Sequence, residues 1–349
     1  MTNSLVKDDQ FNDGHGTYIP PSERVWGDGR ADKTQHDPLR AAADRLLEKG
    51  IEQHQIRNFQ GALLTLEQAL TLYRNVQDEQ GEGRALGSLG VAYYALGSYG
   101  DAIAHSYQSL SIARQTMDRR TERQALANLG NAYRHLEDYV RAIEYKQQSL
   151  IVARDIHDRR GEMAALNNLG MAYKAMGDYS TAIACYEQSL AIARELRDAG
   201  VEGQVLRNLG NAHHALANYA RTIECYEQLL NIARQLSKRR AQAQILKNLA
   251  NTSCMMGNYM KAIVYHQQRL EIARALQDHR DEEQTLDNLG TIYDTLGNYK
   301  KALECHEQRL TVAKRIQDPN LQQQVVVSLK TVCYAIGDFA KASQYGGFQ

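Results

Sequence analysis

The chain has no net charge, since 41 basic side chains are set against 41 acidic ones, so no whole-molecule field draws it to nucleic acid. It has no apolar run approaching the roughly 18 residues that a membrane span needs. The first 38 residues also lack the apolar core of a secretory signal. These absences point to a cytoplasmic protein with no nucleic-acid partner and no membrane insertion. Cysteine is scarce, at five in 349 residues. Three of the five, Cys185, Cys225 and Cys305, fall at multiples of forty residues, and successive packed units about 10 Å apart would hold them beyond disulfide reach. His105, Tyr145 and Tyr265 share that column, as a tolerant packing position allows. Of only four prolines, Pro20, Pro21 and Pro38 lie at the start of the chain. The stretch 1–38 is rich in Gly, Asp, Asn and Lys and shows no helical period, so it is expected to be a disordered tail.

What the chain has in abundance is repetition. Leu89-Gly90 returns as Leu129-Gly130, Leu169-Gly170, Leu209-Gly210 and Leu289-Gly290, with Leu249-Ala250 as the variant. Seven full units occupy 41–320, and a partial one follows at 321–345 before the last residues 346–349. A unit of forty residues holds two helices and two short turns, and it cannot bury its apolar face without stacking on a neighbour. The expected fold is therefore all-α, a solenoid of antiparallel helix pairs over 39–345.

The third unit shows why. Leu126, Leu129, Gly130, Tyr133 and Leu136 recur at three- and four-residue spacing in the first helix, as do Ala142, Ile143, Leu150, Ala153 and Ile156 in the second. Glu137-Asp138 stands where Gly177-Asp178, Gly257-Asn258 and Gly297-Asn298 supply a left-handed glycine that ends a helix. Asp118, Asp158 and Asp278 are placed to cap the helix that follows each unit. Small residues in the Gly90 and Ala102 columns let backbones approach. The pairs Arg119-Arg120, Arg159-Arg160 and Arg239-Arg240 read as solvated turns rather than an anion-binding patch.

The motif Leu86-x-x-Leu89-Gly90-x-x-Tyr93, followed by Gly97-x-Tyr99-x-x-Ala102-Ile103 and repeated over about 41–345, resembles the tetratricopeptide repeat (TPR) family. That resemblance implies a right-handed superhelix. The forty-residue period and the recurrent Asn-Leu-Gly are similar to the repeats of the LGN/Pins G-protein-signalling modulators and of kinesin light chains. No Gαi-binding motif follows before Gln349, so a stand-alone scaffold of bacterial type is the expectation.

In the third unit Gln124, Ala127, Asn128, Asn131, Arg134 and His135 lie opposite the apolar stripe, the face that lines the concave groove in proteins of the resembled family. Through the second to sixth units these six columns hold Arg84, Arg134, Lys174, Arg207 and Lys247, and no acidic residue. Asp44 and Glu48 at one end, and Asp287 and Asp294 at the other, reverse the sign. Asparagine, which costs about 0.5–0.7 kcal/mol against Ala inside a helix, recurs at Asn128, Asn168, Asn208, Asn248 and Asn288. A second set is Asn131, Asn211 and Asn251. An amide can both donate to and accept from a peptide backbone. The resemblance implies that Asn with Lys or Arg grips a peptide, although the residue set of the carboxylate clamp of heat-shock cochaperones is not reproduced here. The alternative is an asparagine ladder between adjacent helices.

His213-His214 with Cys254 leaves two candidate ligands where a closed zinc site takes four, and no nucleophile–base pair can be named. No metal, other cofactor or enzymatic activity is expected. The reading is a scaffold or adaptor that binds an extended, acidic-centred peptide of a protein partner. Its alternative is a peptide-gated regulatory or sensor subunit controlling a separately encoded effector. Lys330 replaces the small residue of the Leu-Gly column, and the last helix is short, so a weak homodimer through the C-terminal end is expected. Trp26, flanked by Glu23, Asp28 and Asp32, suggests an acidic-aromatic tail that competes for the basic groove.

Overall fold

A computed structural model describes residues 38–345. The tail with Trp26, and residues 346–349, lie outside the described residues. All regular structure among the described residues is helical, and sixteen helices run in tandem pairs from α1 (Pro38–Gln55) and α2 (Phe59–Asn75) to α15 (Pro319–Ile336) and α16 (Phe339–Gln344). The chain separates into two compact units, Met1–Asn208 and Leu209–Gln349.

The helix ends follow one rule. A residue with left-handed φ recurs every twenty positions, at Arg57, Gln77, Gly97, Met117, Glu137 and onward to Gly337. The amide of the next residue reaches back five residues to a helix carbonyl, as Ser98 N does to Tyr93 O at 3.0 Å and Asp118 N to Ala113 O at 2.9 Å. This pairing satisfies carbonyls that the ended helix leaves open. Five within-pair turns use glycine at the left-handed site, whereas the links between pairs use Gln77, Met117, His157, Arg197, Ser237, Gln277 and Gln317. Each non-glycine there costs roughly 1–2 kcal/mol, set against the carbonyl bonds and the cap that follows. The expected caps are present: Asp118 accepts from Thr121 N at 3.1 Å, Asp158 from Gly161 N at 2.8 Å and Asp278 from Asp281 N at 3.0 Å.

In the first unit the pairs are α1/α2, α3 (Glu79–Ala95)/α4 (Tyr99–Gln115), α5 (Arg119–His135)/α6 (Tyr139–Asp155) and α7 (Arg159–Ala175)/α8 (Tyr179–Glu195), with α9 (Ala199–Ala215) crossing the boundary. Leu86, Leu89, Leu126 and Leu129 are buried, as are Ala102 and Ala142. Leu136 departs from the expected stripe: it is the C-cap of α5 and stays 51% exposed. Gly130 shows the close approach, since a Cβ there would stand 2.6 Å from Lys146 Cγ and 3.1 Å from the Ala142 carbonyl oxygen. First helices also touch one another, α1 with α3, α3 with α5 and α5 with α7, so the flanks of their inner face are packed.

Ion pairs join each pair to the next. Arg74–Glu82 at 2.7 Å, Arg114–Glu122 at 3.0 Å, Arg154–Glu162 at 2.8 Å and Arg194–Glu202 at 2.8 Å repeat one geometry. Arg119 and Arg159 belong to the same network, through Glu122 and Asp155 and through Glu162 and Glu195. These two basic side chains are exposed, as solvated turn residues are, and each also pairs with a carboxylate on its own helix and one on the second helix of its own pair.

The second unit holds α10 (Tyr219–Gln235), α11 (Arg239–Met255), α12 (Tyr259–Ala275), α13 (His279–Thr295), α14 (Tyr299–Ile316), α15 and α16. Leu246, Leu249, Leu286 and Leu289 form the matching stripe, with Ala262 and Ala302 buried opposite. Arg274–Glu282 repeats the staple at 2.9 Å. At the earlier position Gln242 replaces the glutamate and donates to Ala233 O at 3.0 Å. Cys185 in the first unit, and Cys225 and Cys305 in the second, are buried free thiols.

Candidate partner-binding face

The face of interest in the first unit is carried by α3, α5, α7 and the start of α9. Arg84 on α3 is half-buried, bonds Asp44 at 3.4 Å and lies over the Tyr73 ring, so part of its charge is already answered from α1. Arg134 on α5 is half-buried and bonds His135 Nε2 at 3.1 Å. Lys174 occupies the equivalent place on α7, also half-buried, as are Asn168, Arg207 and Asn208.

Two residues expected on this surface lie inside the protein instead. Asn128 and Asn131 are each only 6% exposed. Asn128 Nδ2 donates to the Gly87 carbonyl at 3.1 Å, one pair back along the stack. Asn208 Nδ2 donates in the same way to Asn167 Oδ1 at 3.0 Å. These two bonds are the ladder between first helices. Neighbouring first helices close over the flanks of α5, which a helical wheel drawn for an isolated helix places in solvent.

Asn131 has a different partner. Its Oδ1 accepts from Lys146 Nζ at 2.5 Å, and Lys146 is 1% exposed. Burial holds this amine well below the usual lysine range, and the nearby Arg134 charge adds to the effect. Among the described residues no carboxylate pairs with it. One pair further on, Tyr186 takes the same position against Gly170. Its side chain is 0% exposed and its hydroxyl has no hydrogen-bond partner. Lys146 and Asn167 were not singled out in the sequence. The available signal was register: Ser106, Lys146, Tyr186, Tyr226, His266 and His306 form one column facing the Gly90 column, and Lys146 is the only Lys or Arg among these six.

In the second unit the candidate residues are Asn211, Lys247, Asn248, Asn251 and Asn288, all half-buried. Asn211 Oδ1 accepts from the Tyr226 hydroxyl, and Asn248 Oδ1 accepts from Gln244 at 3.4 Å. Asp287 is tied to Arg309 at 2.6 Å. Among the described residues no group of three His, Cys, Asp or Glu side chains is gathered to hold a metal, and no helix is long and apolar enough to cross a membrane.

Family models described as tetratricopeptide repeat match residues 83–120, 121–195, 201–275 and 241–315. No curated protein matches the chain. Among solved structures, the chain is similar to the apo form of RapI, with TM-score 0.56 and 14% identity over 79% of this chain and 99% of that one. It is similar to a Rap protein complexed with competence and sporulation factor, with TM-score 0.53 and 17% identity over 78% of this chain and 75% of that one. It also resembles a signal transduction ATPase with a tetratricopeptide repeat sensor from Pyrococcus horikoshii, with TM-score 0.53 and 17% identity over 90% of this chain and 53% of that one. At such identities the likeness is one of fold.

Proposed function

Because the chain belongs to the tetratricopeptide repeat family, we propose that it is a cytoplasmic interaction scaffold holding an extended, acidic-centred segment of a protein partner. The segment lies along α5 and α7 in the first unit, with Arg134 and Lys174 facing its carboxylates and Asn168 and Asn208 its backbone. The observation that carries this reading is the equivalent placement of half-exposed Arg134 and Lys174 in columns that hold no Asp or Glu through the second to sixth units. Charge-assisted bonds of this kind are worth about 1.5–3 kcal/mol each when shielded from water. Lys247, Asn248, Asn251 and Asn288 give the second unit a smaller contact set of the same chemistry. Replacing Arg134, Lys174 and Arg207 together by Glu is expected to abolish partner capture while leaving helicity unchanged. Recovery of the same partners by the triple variant would defeat the proposal.

The likeness to a Rap protein complexed with competence and sporulation factor supports a second reading, a peptide-gated regulator that changes curvature around its ligand. Small-angle scattering decides between the two: a radius that contracts on peptide binding marks a switch, and an unchanged radius marks a static scaffold. At the C-terminal end Val327, Tyr334, Ile336 and Phe339 are exposed, which supports weak pairing of two copies there. Sedimentation that stays strictly monomeric as concentration rises removes that pairing.

A further inference from the structure

Arg134 on the candidate face is held by the histidine next to it in the chain. Its Nη2 lies 3.1 Å from His135 Nε2, and the other ring nitrogen, Nδ1, lies 3.3 Å from the Tyr99 hydroxyl. A guanidinium has donors and no acceptor, so Nε2 must be the accepting nitrogen. The imidazole is then neutral, carries its proton on Nδ1 and donates it to the Tyr99 oxygen, which is the tautomer that free histidine populates less. Two other helices fix the ring. It stacks on Tyr99 of α4 with centroids 5.0 Å apart and 18° between the planes, and it meets Tyr94 of α3 edge-on at 5.1 Å. Tyr94 and Tyr99 themselves lie 5.6 Å apart, so the three rings form one cluster. Arg134 and His135 are both half-exposed, and the guanidinium held here stays accessible to a ligand.

We propose that His135 is a positioning residue for the acidic segment: it aims Arg134 at one carboxylate of the bound chain. The inference rests on the scaffold reading above and deepens it by making Arg134 the anchor. One Nη2 hydrogen is spent on the ring, which leaves the rest of the guanidinium fork for a two-bond, side-on pairing with a carboxylate. An arginine already held in place has less rotamer freedom to lose on binding than one that must be ordered by the ligand. The residue after Lys174 is Ala175, and the equivalent place in the other pairs holds no second histidine. Lys174 therefore brings charge to the face without an imidazole to aim it. The anchor is confined to the third pair, and this sets the register of the ligand.

The test uses the full chain and two fluorescein-labelled peptides, one of alternating Glu and Ala and one of alternating Gln and Ala, at neutral pH and fixed ionic strength. The wild type is expected to prefer the Glu peptide. His135→Phe keeps the ring stack and removes the acceptor, so it should melt no lower than the wild type. It should nonetheless lower the Glu preference about two- to tenfold, the cost of ordering one long side chain on binding. His135→Gln keeps an acceptor and gives up the stack, so it should melt lower and yet retain more of the preference than His135→Phe. A histidine with only a structural role predicts the opposite order. In mildly alkaline solution, imidazole-nitrogen NMR of the wild type should find the His135 proton on Nδ1. A proton on Nε2, an undiminished preference in His135→Phe, or a His135→Gln that retains no more than His135→Phe overturns the positioning role. If the Arg134, Lys174 and Arg207 triple variant still loses the Glu peptide, the scaffold reading survives that result. If the wild type binds both peptides equally, the acidic-partner reading falls and the positioning role falls with it.

Discussion

The two units build the same backbone and stabilise it with different interior chemistry. In the first, Ser109, Ser149 and Ser189 on the second helices each donate back to a carbonyl of the first helix, to Gly83 at 2.8 Å, Arg123 at 3.1 Å and Met163 at 2.9 Å. In the second unit the same column reads Leu229, Arg269 and Arg309. Arg269 bonds Asp281 and Gln284, and Arg309 bonds Glu283 at 2.5 Å and Asp287 at 2.6 Å. Buried cations of the second unit are thus paired with carboxylates, whereas Lys146 in the first has only an amide. One repeat geometry accepts a neutral bond, a closed ion pair or a buried amine held by an amide.

Breaking the closed pair should produce the largest effect. Arg309→Ala leaves Glu283 and Asp287 without their cation and should cost about 3 kcal/mol, read by chemical denaturation. Ser149→Ala in the first unit should cost about 1 kcal/mol, and equal losses would erase the contrast.

The facing columns differ in pH response. Burial, with Arg269 nearby, lowers His266 from 6.5 to about 4, so the unfolded chain binds this proton more tightly than the folded one does. The resulting stability is full above pH 6.5 and is lost as pH falls toward 4, an effect of order 2–3 kcal/mol. Ser106, Lys146 and Tyr186 place no histidine at that depth in the first unit. His266→Phe should flatten the acid limb of the stability profile, and an unchanged limb would assign it to other groups.

Close approach can be compared in the same way. A Cβ at Gly130 would stand 2.6 Å from Lys146, whereas at Gly210 the nearest atom is Tyr226 Cε1 at 3.1 Å. Gly130→Ala is expected to destabilise by about 1–3 kcal/mol, and Gly210→Ala by less. The reverse order in thermal melts would show that the Lys146 side chain yields more readily than the Tyr226 ring.

The smallest expected effect is at a helix cap. Asp118 and Asp158 cap α5 and α7 with side-chain bonds, while Lys238 stands at the same place before α11 and makes none. Lys238→Asp should stabilise the protein by about 1 kcal/mol. No gain would mean that Lys238 has an energetic role outside the cap.

Much of this architecture was legible in the chain. Spacing placed the pairs, the glycine turns, the Asp caps and the small residues at close approaches, because each depends on residues within about one turn of one another. The candidate face was legible only in outline. Arg134 and Lys174 were found as half-exposed cations, but Asn128 and Asn131 were assigned to the surface and are buried. Arg119 and Arg159 are exposed, as their turn position suggests, and are also ion-paired to Glu122 and Asp155 and to Glu162 and Glu195. For Asn128 and Asn131, and for the Asp155 and Glu195 partners of the two arginines, the deciding neighbour lies on another helix.

The forty-residue period by itself determined the all-α fold and the pairing of helices, since a unit of that length can bury its apolar stripe only against a copy of itself. It also determined the alternation of glycine turns and capped links, which are local conformational preferences. Tertiary structure decided which polar residues face solvent and which face one another. It enclosed Lys146 against Asn131 without a carboxylate and tied Arg309 to two. The physical reason is that desolvation and pairing depend on what stands a few ångströms away, and in a stack of helices that neighbour is 15 to 41 residues distant along the chain.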